Sequence, residues 1–123
     1  MIKLLFIDDD QGVLESVKML FKTKLNYRLF LAETGQDALK IAEREKPNLV
    51  VLDMLMEDIS GEEVLKKLKS LNPQVNIIFL TGIEKEKVAE KAKTLGAKGY
   101  LTKPFNVFTL EDYFKKVVPE LYW

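Results

Sequence analysis

"LVVLD", residues 49–53, is an unbroken apolar run closed by an acid. A strand with one face in water would alternate apolar and polar residues. A continuous run of strand length instead points to burial on both faces, as in a parallel sheet covered by helices. "VNIIFLT", residues 75–81, has the same character and ends in a hydroxyl. Working outward, residues 4–7, 27–31 and 99–101 supply three more runs of strand length, and "YRLFLA" at 27–32 is mixed enough to read as an edge.

Each run is followed by apolar residues at helical spacing. Val13, Leu14, Val17, Leu20 and Phe21 mark the first helix, and Ala38, Leu39 and Ala42 the second. Val64, Leu65, Leu68 and Leu71 mark the third; Val88, Ala89, Ala92 and Leu95 the fourth; Val107, Leu110, Phe114 and Val117 the fifth. Pro47, Pro73 and Gly96 stand where the second, third and fourth helices should stop. "SGEE" at 60–63 reads as a capping box, with Ser60 as the cap and Glu63 reaching back. Five strands alternating with five helices predict an α/β fold, a doubly wound parallel sheet with right-handed crossovers.

At 123 residues the chain is expected to form one domain, 1–123, with a single sheet-centred core. Nineteen basic residues balance nineteen acidic ones, so no overall field draws the chain to nucleic acid or to a membrane surface. There is no histidine and no cysteine, which excludes Ser-His-Asp triads, thiolate metal sites and disulfides. Any phosphohistidine in its chemistry must come from a partner. The short apolar start runs straight into acids and is no signal peptide, so the expected location is cytoplasmic. Met1 reads as a natural start, while "ELYW" after Pro119 fits either a natural tail or a cut before an output domain.

In open parallel sheets, sites form at the carboxyl ends of the strands. "KLLFIDDDQG", residues 3–12, places Asp8, Asp9 and Asp10 there, and the third strand adds Asp53. The fourth strand gives Thr81 and Gly82, and the fifth gives Thr102, Lys103 and Pro104. Clustered carboxylates without His or Cys are hard oxygen ligands, suited to Mg²⁺ or Mn²⁺. Asp10, next to the first helix, reads as its cap. Asp53 ends a central strand and is the best-placed nucleophile, able to carry a phosphoryl group as an acyl phosphate. Crowded like charge further predicts that Mg²⁺ raises the melting temperature, and that losing Asp8 or Asp9 stabilises the metal-free chain.

The sequence resembles the receiver domains of two-component response regulators over essentially its whole length. The likeness rests on "FIDDD" (6–10), "LVVLDM" (49–54), Gly61, "FLTG" (79–82) and "LGAKGYLTKPF" (95–105), in this order of elements. It implies a flavodoxin-like (βα)5 sheet of strand order 2-1-3-4-5. It implies that Asp53 accepts phosphate from a histidine kinase or histidine phosphotransfer protein, with Asp8, Asp9, Asp53 and the Leu55 backbone carbonyl holding Mg²⁺. Thr81 and Lys103 would bind the phosphoryl oxygens, and Pro104 would follow a cis peptide. Tyr100 falls at the aromatic switch position, although an aromatic there also serves simple packing. Thr81 and Tyr100 would together move the face made by the fourth helix, fifth strand and fifth helix. That face would meet a downstream protein target or output domain, or could carry a homodimer. Val13 and Leu14 lie where phosphorelay receivers meet their histidine-bearing partner, though the same stripe can be core.

Two positions depart from the family pattern. Glu57 stands where a proline is usual, and Ser60 where an acid is usual, in "DMLMEDISG" at 53–61. Glu57 and Asp58 are expected to add negative charge near the metal. Leu55 and Ile83, both bulky and apolar, would slow attack by water and give a long-lived phosphorylated state. Most of the aromatics among Phe105, Phe108, Tyr113, Phe114, Tyr122 and Trp123 are expected in the core, with exposed members free to form a patch. Two competitors fit poorly. A haloacid-dehalogenase-type phosphatase would need an acid at Leu55, and a nucleotide-binding enzyme would need a Gly-rich turn in place of "DDDQG". A phosphate-independent interaction domain is opposed by the full set of acids, threonine and lysine.

Overall fold

Strands β1 (Ile2–Ile7), β2 (Tyr27–Ala32), β3 (Leu49–Asp53), β4 (Asn76–Thr81) and β5 (Gly99–Thr102) pair in parallel, in the order β2-β1-β3-β4-β5. The computed structural model describes residues 1–82 and 85–122, and the packing of side chains 85–89 lies outside that description. Ile83 and Trp123, and the stripe positions Val88 and Ala89, therefore fall outside the described side chains. Between the strands run α1 (Gln11–Phe21), α2 (Gly35–Glu45), α3 (Gly61–Leu71) and α4 (Lys85–Leu95), and α5 (Leu110–Val117) follows β5.

The apolar runs divide by parity, because successive strand residues point to opposite faces. Leu5, Ile7, Val50, Leu52, Ile77 and Phe79 face the side covered by α2, α3 and Ala92 of α4. Leu4, Phe6, Leu49, Val51, Ile78 and Leu80 face the side covered by α1 and α5. Every residue of β3 and β4 is buried. β2 and β5, the edges, are only partly covered. Phe114 is fully buried, whereas Phe108 is 77% exposed, so the aromatic-rich end both packs and protrudes.

Helix ends follow local chemistry with three surprises. Asp10 caps α1 by accepting from the amides of Gly12 (2.8 Å) and Val13 (3.3 Å). Ser60 caps α3 through the Glu63 amide at 3.2 Å. The reciprocal half of the box is not made: the Glu63 carboxylate lies 3.7 Å from the Lys67 ammonium one turn on. α2 ends at Lys46 in the left-handed region (φ 49°), a position usually given to glycine. The expected fifth helix is split, since Asn106 caps a short 3-10 turn (Val107–Thr109) before α5 begins.

Gly61 answers to close approach. A Cβ there would lie 2.7 Å from the Met54 Cα and 3.0 Å from its carbonyl oxygen, which already accepts the Gly61 amide. Gly61→Ala should therefore lower stability by about 1–3 kcal/mol, because backbone and not a flexible side chain must move. Urea denaturation measures this, and an unchanged midpoint would show that the β3–α3 loop gives way freely.

Candidate functional site

The parallel topology brings the carboxyl ends of β1, β3, β4 and β5 to one edge of the sheet. The three consecutive acids after β1 separate there into three environments. Asp8 is fully buried, Asp9 is exposed, and Asp10 is committed to α1. One carboxylate oxygen from each of Asp8, Asp9 and Asp53 falls within 4.8 Å of the others, a cluster that could hold a metal ion.

Lys103 crosses this cluster. Its ammonium lies 2.9 Å from Asp53 Oδ2 and donates to Asp8 Oδ1 at 3.1 Å, with Asp8 Oδ2 at 2.9 Å. The Lys103–Pro104 peptide is cis, and the Lys103 amide donates to the Thr81 carbonyl at 2.7 Å. Asp53 Oδ1 accepts the Leu55 amide at 2.9 Å, and Asp8 Oδ1 accepts the Asp10 amide at 3.0 Å. Asp8 Oδ2 is buried without a directed hydrogen bond, although the ammonium is close. It is a carboxylate oxygen with lone pairs to offer.

These contacts set the titration of the pair. Burial pushes the Asp53 carboxyl above its ordinary 3.8, the Leu55 amide and Lys103 pull it back, and Asp8 adds to the rise. It remains raised. Burial works against the Lys103 ammonium, but its bonds to Asp8 and Asp53 and their charge outweigh that effect, so its pKa is raised above 10.5.

The remaining sequence candidates fall around this centre. Thr81 is buried at the end of β4. Tyr100 is half-buried against the core on the α2–α3 side. Leu14 is buried in the opposite core, so Val13 is the accessible member of that pair. The Leu55 side chain is 69% exposed. Asp58 does not crowd the acids in the way its sequence position suggests: Oδ1 accepts the Gly35 amide and Oδ2 the Gln36 amide, both at 3.0 Å, at the start of α2. Those amides hold its carboxyl below the ordinary range. Thr34 takes the next amide, that of Asp37, at 3.1 Å. The first turn of α2 is thus satisfied from two places in the chain, one of them 22 residues away and invisible to local reading.

A family model described as "Response regulator receiver domain" matches residues 4–115. The chain belongs to that family and is a signalling module of the two-component kind. It is 33% identical over 117 residues to "Sporulation initiation phosphotransferase F" of Bacillus subtilis, covering 95% of this chain and 94% of that protein. It also matches several longer curated regulators, of whose length it spans about half. Among solved structures it resembles a CheY-like receiver domain protein from Methanospirillum hungatei (TM-score 0.87, 29% identity, 98% of this chain and 96% of that one). It also resembles a Burkholderia pseudomallei response regulator solved with a phosphorylated aspartic acid, calcium ion and citrate (TM-score 0.82, 27% identity, 98% and 69%).

The pairing shifts the stability expectation from Asp8 to Asp53. Asp8→Ala would now strip Lys103 of a partner and orphan the Asp10 amide. A carboxyl with a raised folded pKa contributes stability below its unfolded value, and that contribution is lost as pH rises through the folded value. At neutral pH the metal-free fold therefore holds an Asp53 charge it disfavours. Asp53→Asn should melt higher than the parent in EDTA at pH 7, by roughly 2–6 °C, and lose most of the rise that Mg²⁺ gives the parent. Thermal melts followed by circular dichroism read both, and a lower melting point in EDTA would show that the Lys103 pairing outweighs burial.

Proposed function

We propose that this receiver, residues 1–123 acting as one unit, accepts a phosphoryl group on Asp53 from a partner's phosphohistidine in a reaction that requires Mg²⁺ (or Mn²⁺). One observation carries the reading: at the strand ends Asp53 shares an ammonium, Lys103, with a buried second acid, and a third acid stands within 4.8 Å. The donor set suits a hard cation, being all oxygen and including the buried Asp8 Oδ2 that lacks a hydrogen bond. Asp8, Asp9, Asp53 and the Leu55 carbonyl would hold the cation. When bound, it offsets the charge of the entering phosphoryl oxygens.

In the transfer, an ionised Asp53 oxygen bonds to phosphorus as the phosphorus–nitrogen bond to the donor imidazole breaks, and the nitrogen keeps the electron pair. No base is needed, because the nucleophile carries no proton. Lys103 passes from the carboxylates to the phosphoryl oxygens, and the Thr81 hydroxyl takes another. Movement of Thr81 and Tyr100 then reshapes the α4–β5–α5 face. That face meets a downstream protein target or output domain, or a second copy as a homodimer.

The donor is a histidine kinase or a histidine phosphotransfer protein. An open recess of about 460 Å³ beside the acids, lined by Gly12, Val13, Ser16, Lys103, Phe105 and Val107 among others, suits a helix presenting its histidine. The near full-length match to a protein named as a phosphotransferase supports a relay role. The phosphorylated aspartic acid and calcium ion in the Burkholderia structure support the chemistry by analogy.

Intact mass after incubation with acetyl phosphate should rise by one phosphoryl group with Mg²⁺, stay unchanged in EDTA and stay unchanged in Asp53→Asn. Lys103→Ala should slow the gain by roughly a hundredfold, the loss typical of one removed charge-stabilising donor. No gain in a folded parent chain overturns the proposal. With bulky Leu55 next to the site, the added mass should persist for minutes or longer once the donor is removed. Loss within seconds would show that water reaches the acyl phosphate freely.

A further inference from the structure

The two edges of the sheet are finished differently. At β5, Tyr113 of α5 closes the edge: its hydroxyl accepts the Tyr100 amide and donates to the Tyr100 carbonyl, each at 2.9 Å. At β2, among the described residues, no side chain does this. The Ile2 amide donates to the Asn26 carbonyl and the Asp8 amide to the Ala32 carbonyl. In a parallel ladder alternate residues face the neighbouring strand, so residues of that parity face β1, and Leu29 and Leu31 turn their amides and carbonyls outward. Among the described residues those outward groups have no protein partner.

A groove of about 690 Å³ runs along this edge between α1 and Ile41 of α2, with Leu25, Tyr27, Leu29 and Leu31 on its walls. Leu25 is 91% exposed. In a chain whose charges balance, residues 16–32 carry Lys18, Lys22, Lys24 and Arg28 and no acid at all. All four line the groove. Lys24 is paired with Glu111 at 3.1 Å, and Arg28 reaches Glu45 at 3.9 Å while lying over the Phe30 ring. Lys18 in the last turn of α1 and Lys22 at its C-terminal cap, four residues on, have no acidic partner among the described residues.

We propose that this edge is a docking site for an extended, acidic segment of a partner protein, which pairs with Leu29 and Leu31 as an added strand. Backbone pairing supplies affinity that any extended chain could use, and the lysines select among chains by charge. The same cations hold two copies apart, since edge-to-edge pairing would bring like charge together. The edge thus disfavours its own kind and favours an acidic strand. β2 lies two strands from β3, about 10 Å from the phosphoacceptor strand, at the side of the sheet opposite the α4–β5–α5 face. A strand docked there leaves the Asp53 site uncovered, so its binding should not require that carboxylate.

The test is an amide-resolved NMR titration of the whole chain with a blocked peptide of about eight residues alternating Glu and Val. The Leu29 and Leu31 amides should shift and exchange with solvent several-fold more slowly. The affinity should fall about tenfold or more in Lys18→Glu/Lys22→Glu, two exposed positions that leave the core untouched, and should not change in Asp53→Asn. An unperturbed β2 at millimolar peptide, equal binding of a Lys–Val peptide, or indifference to the charge reversal would each overturn the proposal. Tighter engagement of the same residues by duplex DNA or by phosphatidylserine vesicles would overturn it in favour of a nucleic-acid or lipid surface.

Discussion

The lysine between Asp8 and Asp53 is the interaction on which the site depends. Two carboxylates near 4 Å repel by about 4 kcal/mol at the edge of a protein, and one of these is fully buried. Lys103 lies within 3.1 Å of both, so a single ammonium offsets two charges. The contacts join residues 95 and 50 positions apart, brought together here because β1 and β3 are adjacent in the parallel sheet. The arrangement is balanced for exchange. An entering anion competes for the ammonium, and an entering cation competes for the carboxylates.

The loop after β3 is held so that this exchange can occur without disordering it. The Leu55 amide fixes Asp53, the Asp58 carboxylate fixes the start of α2, and the Gly61 amide returns to Met54. With three anchors in seven residues, a proline is not needed to stiffen the segment. Ser60, where an acid is usual, does the work of a helix cap, so that departure has a local structural reason. Nothing in the structure explains Glu57.

What the sequence revealed and what it hid divide by range. Continuous apolar runs gave β3 and β4, because burial on both faces leaves no polar alternation to misread, and helical spacing gave the faces of α1 and α3. Asp10 could be assigned as a cap because its partners are two and three residues away. Lys46 in the left-handed region, the Asp58 cap of α2 and the Tyr113 closure of β5 were not legible. The first uses a residue with no conformational signal, and the other two depend on hydrogen bonds between elements. The site was legible as a set of residue types at strand ends. The sharing of Lys103 and the full burial of Asp8 were not, since both arise from how far each strand end projects.

The contrast between the edges bears on how such a module can serve more than one partner. Tyr113 ties α5 to the backbone of Tyr100, so movement of that residue is felt by the helix beside it, and β5 has little freedom to accept an added strand. β2 has the opposite properties. Its outward groups are open and its neighbours Lys18 and Lys22 have no acidic partner among the described residues, while α2, packed on its inner side, is capped by Asp58 of the loop after Asp53. Under the proposed function, the β5 side would report the state of Asp53, and an edge two strands away would be free to hold a partner in either state. β2 and β5 are the opposite edges of one sheet, so two such events would not compete for space.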